Sequence, residues 1–126
     1  MLNTKPATIL IIEDDPSLRD SLQRTLRKQS YTILQAAEGG EGMMLLGTHA
    51  IDVVLVDIFM PGKEGIETIR QIRRSYPQVK IIAMSGGGER RYIDVLRVAK
   101  SIGCHQTLDK PFSNETLINA IQAQLA

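Results

Sequence analysis

The sequence predicts an α/β fold: a single doubly wound (βα)5 domain built around a five-stranded parallel sheet. Two observations carry this prediction. Short apolar runs rich in β-branched residues alternate with segments whose apolar residues recur every three or four positions. The runs are also continuously apolar, which is typical of parallel strands covered by helices on both faces. A chain of 126 residues, 43% of them hydrophobic, suffices for one such core but not for two.

The strands and helices follow from these runs and periodicities. Strands are expected at residues 8–12, 31–34, 53–56 and 79–83, and a weaker one around 105–108. Helical spacing predicts helices from leucines after Pro16, from isoleucines after Gly65, over 89–102 and at the end of the chain. The segment 39–47 is the weakest predicted helix, because its glycines lower the helix propensity.

Composition excludes several classes of function. The formal net charge is +1, so no overall field attracts the chain to nucleic acid or to an anionic membrane. The single cysteine, Cys104, cannot form an internal disulfide, and the apolar stretch at 7–12 is too short for a signal peptide. No stretch approaches the roughly 20 apolar residues of a spanning helix. We therefore expect a cytoplasmic protein without direct nucleic-acid or membrane binding.

Polar residues follow four of the predicted strands, at the sheet edge where doubly wound folds bind ligands. They are Glu13, Asp14 and Asp15 after the first, Asp57 after the third, Ser85 after the fourth and Lys110 after the fifth. Crowded carboxylates repel one another, and a hard cation bound through oxygen relieves the repulsion, with Mg²⁺ favoured. Asp57, alone at the centre of the sheet, is the candidate nucleophile for an aspartyl-phosphate. The metal, Ser85 and Lys110 would stabilise the phosphoryl oxygens.

Alternative interpretations of these residues are weaker. Asp15 directly precedes Pro16, the pattern of a helix N-cap followed by proline at the first helical position, so Asp15 is kept out of the metal set. The glycines at 86–88 do not make a dinucleotide fingerprint, because Arg91 stands where a glycine is needed. Lys63 is followed by Glu64 rather than Ser or Thr, which excludes a Walker A motif.

Four ordered stretches give the whole chain a family resemblance. They are the Ile-Leu-Ile-Ile-Glu-Asp-Asp-Pro run at 9–16, Asp-Ile-Phe-Met-Pro-Gly at 57–62 with Gly65, Ala-Met-Ser-Gly at 83–86 and Lys-Pro-Phe at 110–112. The sequence resembles the receiver domains of two-component response regulators, which accept a phosphoryl group from a phosphohistidine. The resemblance implies one receiver domain over residues 1–126 with the CheY-like, flavodoxin-like strand order 2-1-3-4-5.

The resemblance also implies roles for the acidic residues. Asp57 matches the phosphoacceptor, and with Asp14 it would bind Mg²⁺ directly. Glu13 would contact the metal more remotely, through water. The backbone carbonyl of Phe59 would be a further metal ligand. Magnesium is therefore the expected cofactor.

Three further positions match the phosphoryl-binding side of the family's site, and one departs from it. Ser85 matches the Ser/Thr that meets the phosphoryl group, and Lys110 matches the phosphate-binding lysine. The peptide bond before Pro111 is typically cis in this family. Three residues before the lysine, receivers commonly carry Tyr or Phe, whereas this chain has Thr107. We expect a weaker or different coupling there.

The predicted function is a Mg²⁺-dependent receiver that accepts a phosphoryl group on Asp57, hydrolyses it slowly and signals by conformational change. Its partners would be a sensor histidine kinase or histidine phosphotransfer protein, and a downstream protein target or an output domain. One rival is a pseudo-receiver, a phosphorylation-independent binding module, and the filled site positions argue against it. Another is a small-substrate phosphatase, which would need an acid where Phe59 stands. Whether the chain is a stand-alone receiver or part of a longer regulator stays open.

Overall fold

The computed structural model describes residues 5–58, 64–86, 97–98 and 100–126. In chain order, the elements are β1 (Thr8–Ile12), α1 (Pro16–Arg27), β2 (Thr32–Ala36), α2 (Gly39–Thr48), β3 (Val53–Asp57), α3 (Glu64–Ser75), β4 (Lys80–Gly86), β5 (Gln106–Lys110) and α4 (Asn114–Leu125). The predicted helix over 89–102 lies largely outside the described residues, and its positions 97, 98, 100 and 101 are helical.

The five strands form one parallel sheet in the order β2-β1-β3-β4-β5, which confirms the predicted doubly wound fold. The central strand β3 pairs with β1 on one side and with β4 on the other. In these ladders Val56 lies opposite Ile12, and Asp57 lies opposite Met84. The residues that follow β1 and end β3 are therefore neighbours at the carboxyl edge of the sheet.

The core lies on both faces of the sheet, because alternate residues of each strand point to opposite faces. One face packs against α2 and α3 through Leu46, Ile69 and Ile72. The other packs against α1 and α4 through Leu26 and Ile121, among others. All residues of β3 are buried. Burial on both faces explains why the inner strands β1, β3 and β4 are largely continuous in their apolar residues rather than alternating.

Helix α2 forms over Gly39–Thr48 despite its low helix propensity. A Cβ atom added at Gly42 would lie 2.5 Å from Cδ1 of Ile12, closer than van der Waals contact allows. Glycine therefore lets α2 approach the sheet closely at this position. Tertiary packing outweighs the weak intrinsic propensity of the segment.

At the opposite, amino-terminal edge of the sheet, His105 joins the start of β5 to β4. Its backbone N–H donates to the Ile81 carbonyl at 2.7 Å, and the Ile81 N–H donates to His105 Nδ1 at 3.0 Å. Burial and the nearby positive charges of Lys80 and Arg73 lower the pKa of His105. The neutral imidazole is therefore the form that completes this edge.

The helices of the described residues are too short or too polar to cross a bilayer.

Candidate functional site

Three carboxylates gather at the carboxyl edge of the sheet, as the sequence predicts. Glu13 directly follows β1, Asp14 is the next residue, and Asp57 ends the central strand β3. One carboxylate oxygen from each residue lies within 4.8 Å of the corresponding atoms of the other two. Glu13 and Asp57 are buried, with 1% and 4% of their surface exposed, whereas Asp14 is open to solvent. The cluster is thus a mostly buried acidic site with one side accessible.

Lys110 places its ammonium group among these carboxylates. It ends β5, and its Nζ lies 2.8 Å from Oε1 of Glu13 and 3.3 Å from Oδ2 of Asp57. The lysine therefore bridges the carboxyl ends of β1 and β3 from the far side of β4. The peptide bond between Lys110 and Pro111 is cis, as the resemblance implies.

The environment shifts the titration of both members of the Glu13–Lys110 contact. Burial raises the pKa of Glu13, the negative charge of Asp57 adds to the increase, and the hydrogen bond from Lys110 offsets only part of it. Burial alone would lower the pKa of Lys110, but the hydrogen bond to Glu13 and the charge of Asp57 raise it overall. The lysine therefore stays an ammonium ion at neutral pH. Its positive charge partly compensates the repulsion between the buried carboxylates of Glu13 and Asp57.

The turn after β1 is fixed at both ends. On the sheet side, the Glu13 N–H donates to the Ala36 carbonyl of β2 at 3.1 Å. On the helix side, Asp15 is the N-cap of α1, and its Oδ1 accepts from the Ser17 N–H at 2.9 Å. The Asp15 N–H in turn donates to Glu13 Oε2 at 3.1 Å. The predicted capping role of Asp15 is confirmed, and Asp14 lies between the two anchored residues.

Ser85 supplies a buried hydroxyl on the neighbouring strand. It follows Met84, the residue of β4 that pairs with Asp57, and it has no exposed surface. Its Oγ has no hydrogen-bond partner among the described residues. A buried hydroxyl without a partner is unfavourable for stability alone and is a recurrent feature of ligand sites.

Helix α3 begins against the backbone that carries Asp57. A Cβ atom added at Gly65 would lie 2.5 Å from Cα of Ile58 and 2.6 Å from the carbonyl oxygen of Asp57. Only glycine permits this close approach, since backbone atoms cannot move aside as a flexible side chain can. The glycine that follows the 57–62 stretch therefore has a packing role at the site.

Two further residues that the sequence analysis singled out, Phe59 and Thr107, are not part of this cluster of contacts in the described structure. Phe59, whose backbone carbonyl is the expected fourth metal ligand, lies outside the described residues. Thr107 is half-buried on β5, where it pairs with Ala83. It also lines a groove of about 530 Å³ between β5 and the start of α4, together with Phe112 and Thr116.

Sequence reasoning missed Arg19. This residue lies on α1, and its Nη1 donates to the backbone carbonyl of Glu13 at 2.7 Å. A signal for it existed in the sequence: Arg19 is a cation near the amino end of a helix whose first turn holds no acidic residue. The helix dipole disfavours a cation there, which makes such a residue a candidate for a specific contact.

Comparisons with known proteins agree with this geometry. A family model described as the response regulator receiver domain matches residues 9–122. A curated relative, a probable C4-dicarboxylate response regulator of Priestia megaterium, is 29% identical over 96% of this chain. The chain spans 53% of that relative's length.

Solved structures give the same result at the level of the fold. A CheY-like receiver domain protein from Methanospirillum hungatei superposes with a TM-score of 0.88 and 26% identity, over 96% of this chain and 94% of that one. A putative response regulator from Chloroflexus aurantiacus gives a TM-score of 0.87 and 25% identity, over 96% and 98% of the two chains. A probable response regulator with a GGDEF domain gives 0.87 and 30% identity, over 94% of this chain and 49% of that one.

Proposed function

Because this chain belongs to the response regulator receiver domain family of two-component systems, we propose that it accepts a phosphoryl group on Asp57 in a Mg²⁺-dependent reaction. The donor would be the phosphohistidine of a sensor histidine kinase or a histidine phosphotransfer protein. The observation that carries the proposal is the convergence of Glu13, Asp14, Asp57 and Lys110 at one edge of the sheet.

The donor set fits magnesium. Glu13, Asp14 and Asp57 offer carboxylate oxygens within 4.8 Å of one another, and hard oxygen ligands are those that Mg²⁺ prefers. The exposed position of Asp14 leaves room for water, which Mg²⁺ usually retains in protein sites. When bound, the ion would compensate the negative charge that develops on the transferred phosphoryl group. The expected carbonyl ligand from Phe59 would complete the protein's contribution.

The side chains divide the work of the transfer. A carboxylate oxygen of Asp57 attacks phosphorus, forming an acyl-phosphate O–P bond, while the P–N bond of the phosphohistidine breaks and its electron pair returns to the imidazole. The Lys110 ammonium, already held beside Asp57, neutralises a phosphoryl oxygen. The Ser85 hydroxyl, which no described residue engages in a hydrogen bond, donates to another phosphoryl oxygen.

The same contacts suggest how phosphorylation changes the protein. In the structure the Lys110 ammonium forms ion pairs with both Glu13 and Asp57. A phosphoryl group on Asp57 would compete for that ammonium and give the Ser85 hydroxyl its missing acceptor. The change would spread along β4 and β5 to the surface near Thr107, where a target protein or an output domain would read it. Slow hydrolysis of the acyl phosphate would reset this switch.

A phosphorylation-independent pseudo-receiver is the rival function, and it is not favoured. A binding module has no use for a buried acidic pair held by a lysine, because such a pair costs desolvation energy without adding binding surface. A binding module also does not need a buried Ser85 hydroxyl that lacks a hydrogen-bond partner in the described part of the chain. Cytoplasmic location accompanies the proposed function, since histidine kinases transfer their phosphoryl groups in that compartment.

Labelling by a small phosphodonor tests the proposal. Purified protein is incubated with phosphoramidate, with or without Mg²⁺, and its intact mass is measured. Wild type and an Asp20→Asn control, which alters an exposed carboxylate on α1, should gain one phosphoryl group only when Mg²⁺ is present. Asp57→Asn should gain none. Equal labelling of Asp57→Asn and wild type, or labelling of wild type that does not depend on Mg²⁺, would refute the proposal.

A further inference from the structure

The geometry points to Arg19 as a positioning residue of the acidic site: its guanidinium fixes the peptide that carries Asp14 toward Asp57. The inference rests on the proposed function for its biological meaning, and on the hydrogen bonds around Glu13 for its geometry. Arg19 Nη1 donates to the Glu13 carbonyl oxygen at 2.7 Å in a half-buried setting. A charged donor at this distance makes a stronger hydrogen bond than a neutral one.

The Arg19 hydrogen bond restrains the peptide that leads into Asp14. The Glu13 N–H is held by β2, and Asp15 is held by its cap on α1. The peptide between Glu13 and Asp14 is the link on which the direction of the Asp14 side chain depends. Its carbonyl is the atom that Arg19 holds, so rotation of that peptide would have to break a charge-assisted hydrogen bond.

Arg19 is itself well anchored for this role. Its backbone N–H donates to the Asp15 carbonyl at 2.9 Å, which is the first hydrogen bond of α1 from the capping residue. The side chain then reaches back to the residue that follows β1. The helix dipole disfavours a positive charge at this end of α1, so the hydrogen bond to Glu13 must offset that cost. Arg19 thus connects the start of α1 to Glu13, the residue that directly follows β1.

The acceptor of the Arg19 hydrogen bond is a backbone carbonyl and not a carboxylate of the site. Because the guanidinium binds a neutral backbone carbonyl, this hydrogen bond does not neutralise Glu13, Asp14 or Asp57. A metal ion would still meet three carboxylates whose positions are fixed. Such partners of metal ligands commonly change metal affinity about 10- to 100-fold when they are removed.

The experiment compares wild type with Arg19→Met, Arg19→Lys and a control, Arg24→Met. Arg24 lies on the same helix, is 69% exposed and pairs only with Asp20 among the described ion pairs. Mg²⁺ is titrated while amide NMR shifts are followed, which gives the metal affinity without any phosphodonor. The rate of phosphoramidate labelling is then measured at limiting and at saturating Mg²⁺.

We expect Arg19→Met to bind Mg²⁺ about tenfold more weakly. Its labelling should be slow at limiting Mg²⁺ and return close to the wild-type rate at saturation. Arg19→Lys should recover part of the affinity, because an ammonium can still donate to the carbonyl. Arg24→Met should match wild type. If Arg19→Met does not give a folded amide spectrum, the comparison of Arg19→Lys with wild type carries the test.

Three results would overturn the inference: unchanged Mg²⁺ affinity in both Arg19 variants, an equal loss in Arg24→Met, or a labelling defect in Arg19→Met that saturating Mg²⁺ does not correct. Failure of the proposed function is distinguishable from these. In that case wild-type protein binds Mg²⁺ but is not labelled, and the role of Arg19 is judged from the metal titration alone.

Discussion

Replacing Gly65 by alanine should destabilise the protein, although alanine is the better helix former. The new Cβ would lie 2.5 Å from Ile58 Cα, 2.6 Å from the Asp57 oxygen and 2.8 Å from the Ile58 carbonyl carbon. Ordinary contact begins at 3.4 Å, so α3 and the end of β3 must separate by about 0.9 Å. Overpacking of this kind costs about 1–3 kcal/mol, which exceeds the gain of up to about 1 kcal/mol in helix propensity.

Gly47→Ala is the matched control on α2. Among the described residues its new Cβ would meet only the Tyr76 hydroxyl, at an ordinary 3.5 Å, so this change should be neutral or stabilise by up to about 1 kcal/mol. Urea unfolding gives both values, since the free energy falls linearly with denaturant. Gly65→Ala should therefore be less stable than wild type, whereas Gly47→Ala should not. A Gly65→Ala protein as stable as wild type would refute the close-approach argument.

Three further changes test other contacts. Asp15→Ala should lower the free energy of unfolding by about 1 kcal/mol through loss of the α1 cap, with Asp15→Ser retaining most of it; equal stability of Asp15→Ala and wild type would contradict the cap. Ser85→Ala should leave the unphosphorylated protein at least as stable as wild type, because the hydroxyl has no hydrogen-bond partner among the described residues, yet slow labelling of Asp57; a marked loss of stability would show that the hydroxyl is satisfied. Burial and nearby positive charge lower the pKa of His105, so the unfolded chain binds its proton more readily and stability should fall as the pH drops below 6.5. His105→Gln can still accept from Ile81 and should flatten that slope; an unchanged slope in urea titrations across this range would refute the role of His105.

The fold could be predicted from the sequence because the sheet is buried on both faces. Continuous apolar runs predict the inner strands β1, β3 and β4, whereas β5, whose residues are mostly polar, is predicted only as a weaker strand. The structure also extends β4 to Gly86, beyond the predicted end at 83. The extension has a physical cause: Ser85 is polar, so it ends the apolar run, but it stays in the ladder opposite Asp109. Asp57 likewise ends β3 as a buried residue, one position past the predicted end.

The candidate site was predictable only in part. Parallel strands bring their carboxyl ends to one edge, so Glu13, Asp57 and Lys110 could be placed together from sequence order. The partners of Lys110 could not be predicted, because they depend on how far its side chain reaches across β4. The role of Arg19 was also missed, since its acceptor is a backbone carbonyl that any residue at position 13 would supply.

Phosphorylation of Asp57 is best tested by identifying the residue that carries the phosphoryl group. Borohydride reduces an aspartyl-phosphate to homoserine, so protein labelled in the presence of Mg²⁺ can be reduced, digested and sequenced by mass spectrometry. If Asp57 is the phosphoacceptor, homoserine should appear at position 57, dependent on both phosphodonor and Mg²⁺, with Asp14 and Asp15 unchanged. Homoserine at another aspartate, or none at position 57 in protein shown to bind Mg²⁺, would contradict it.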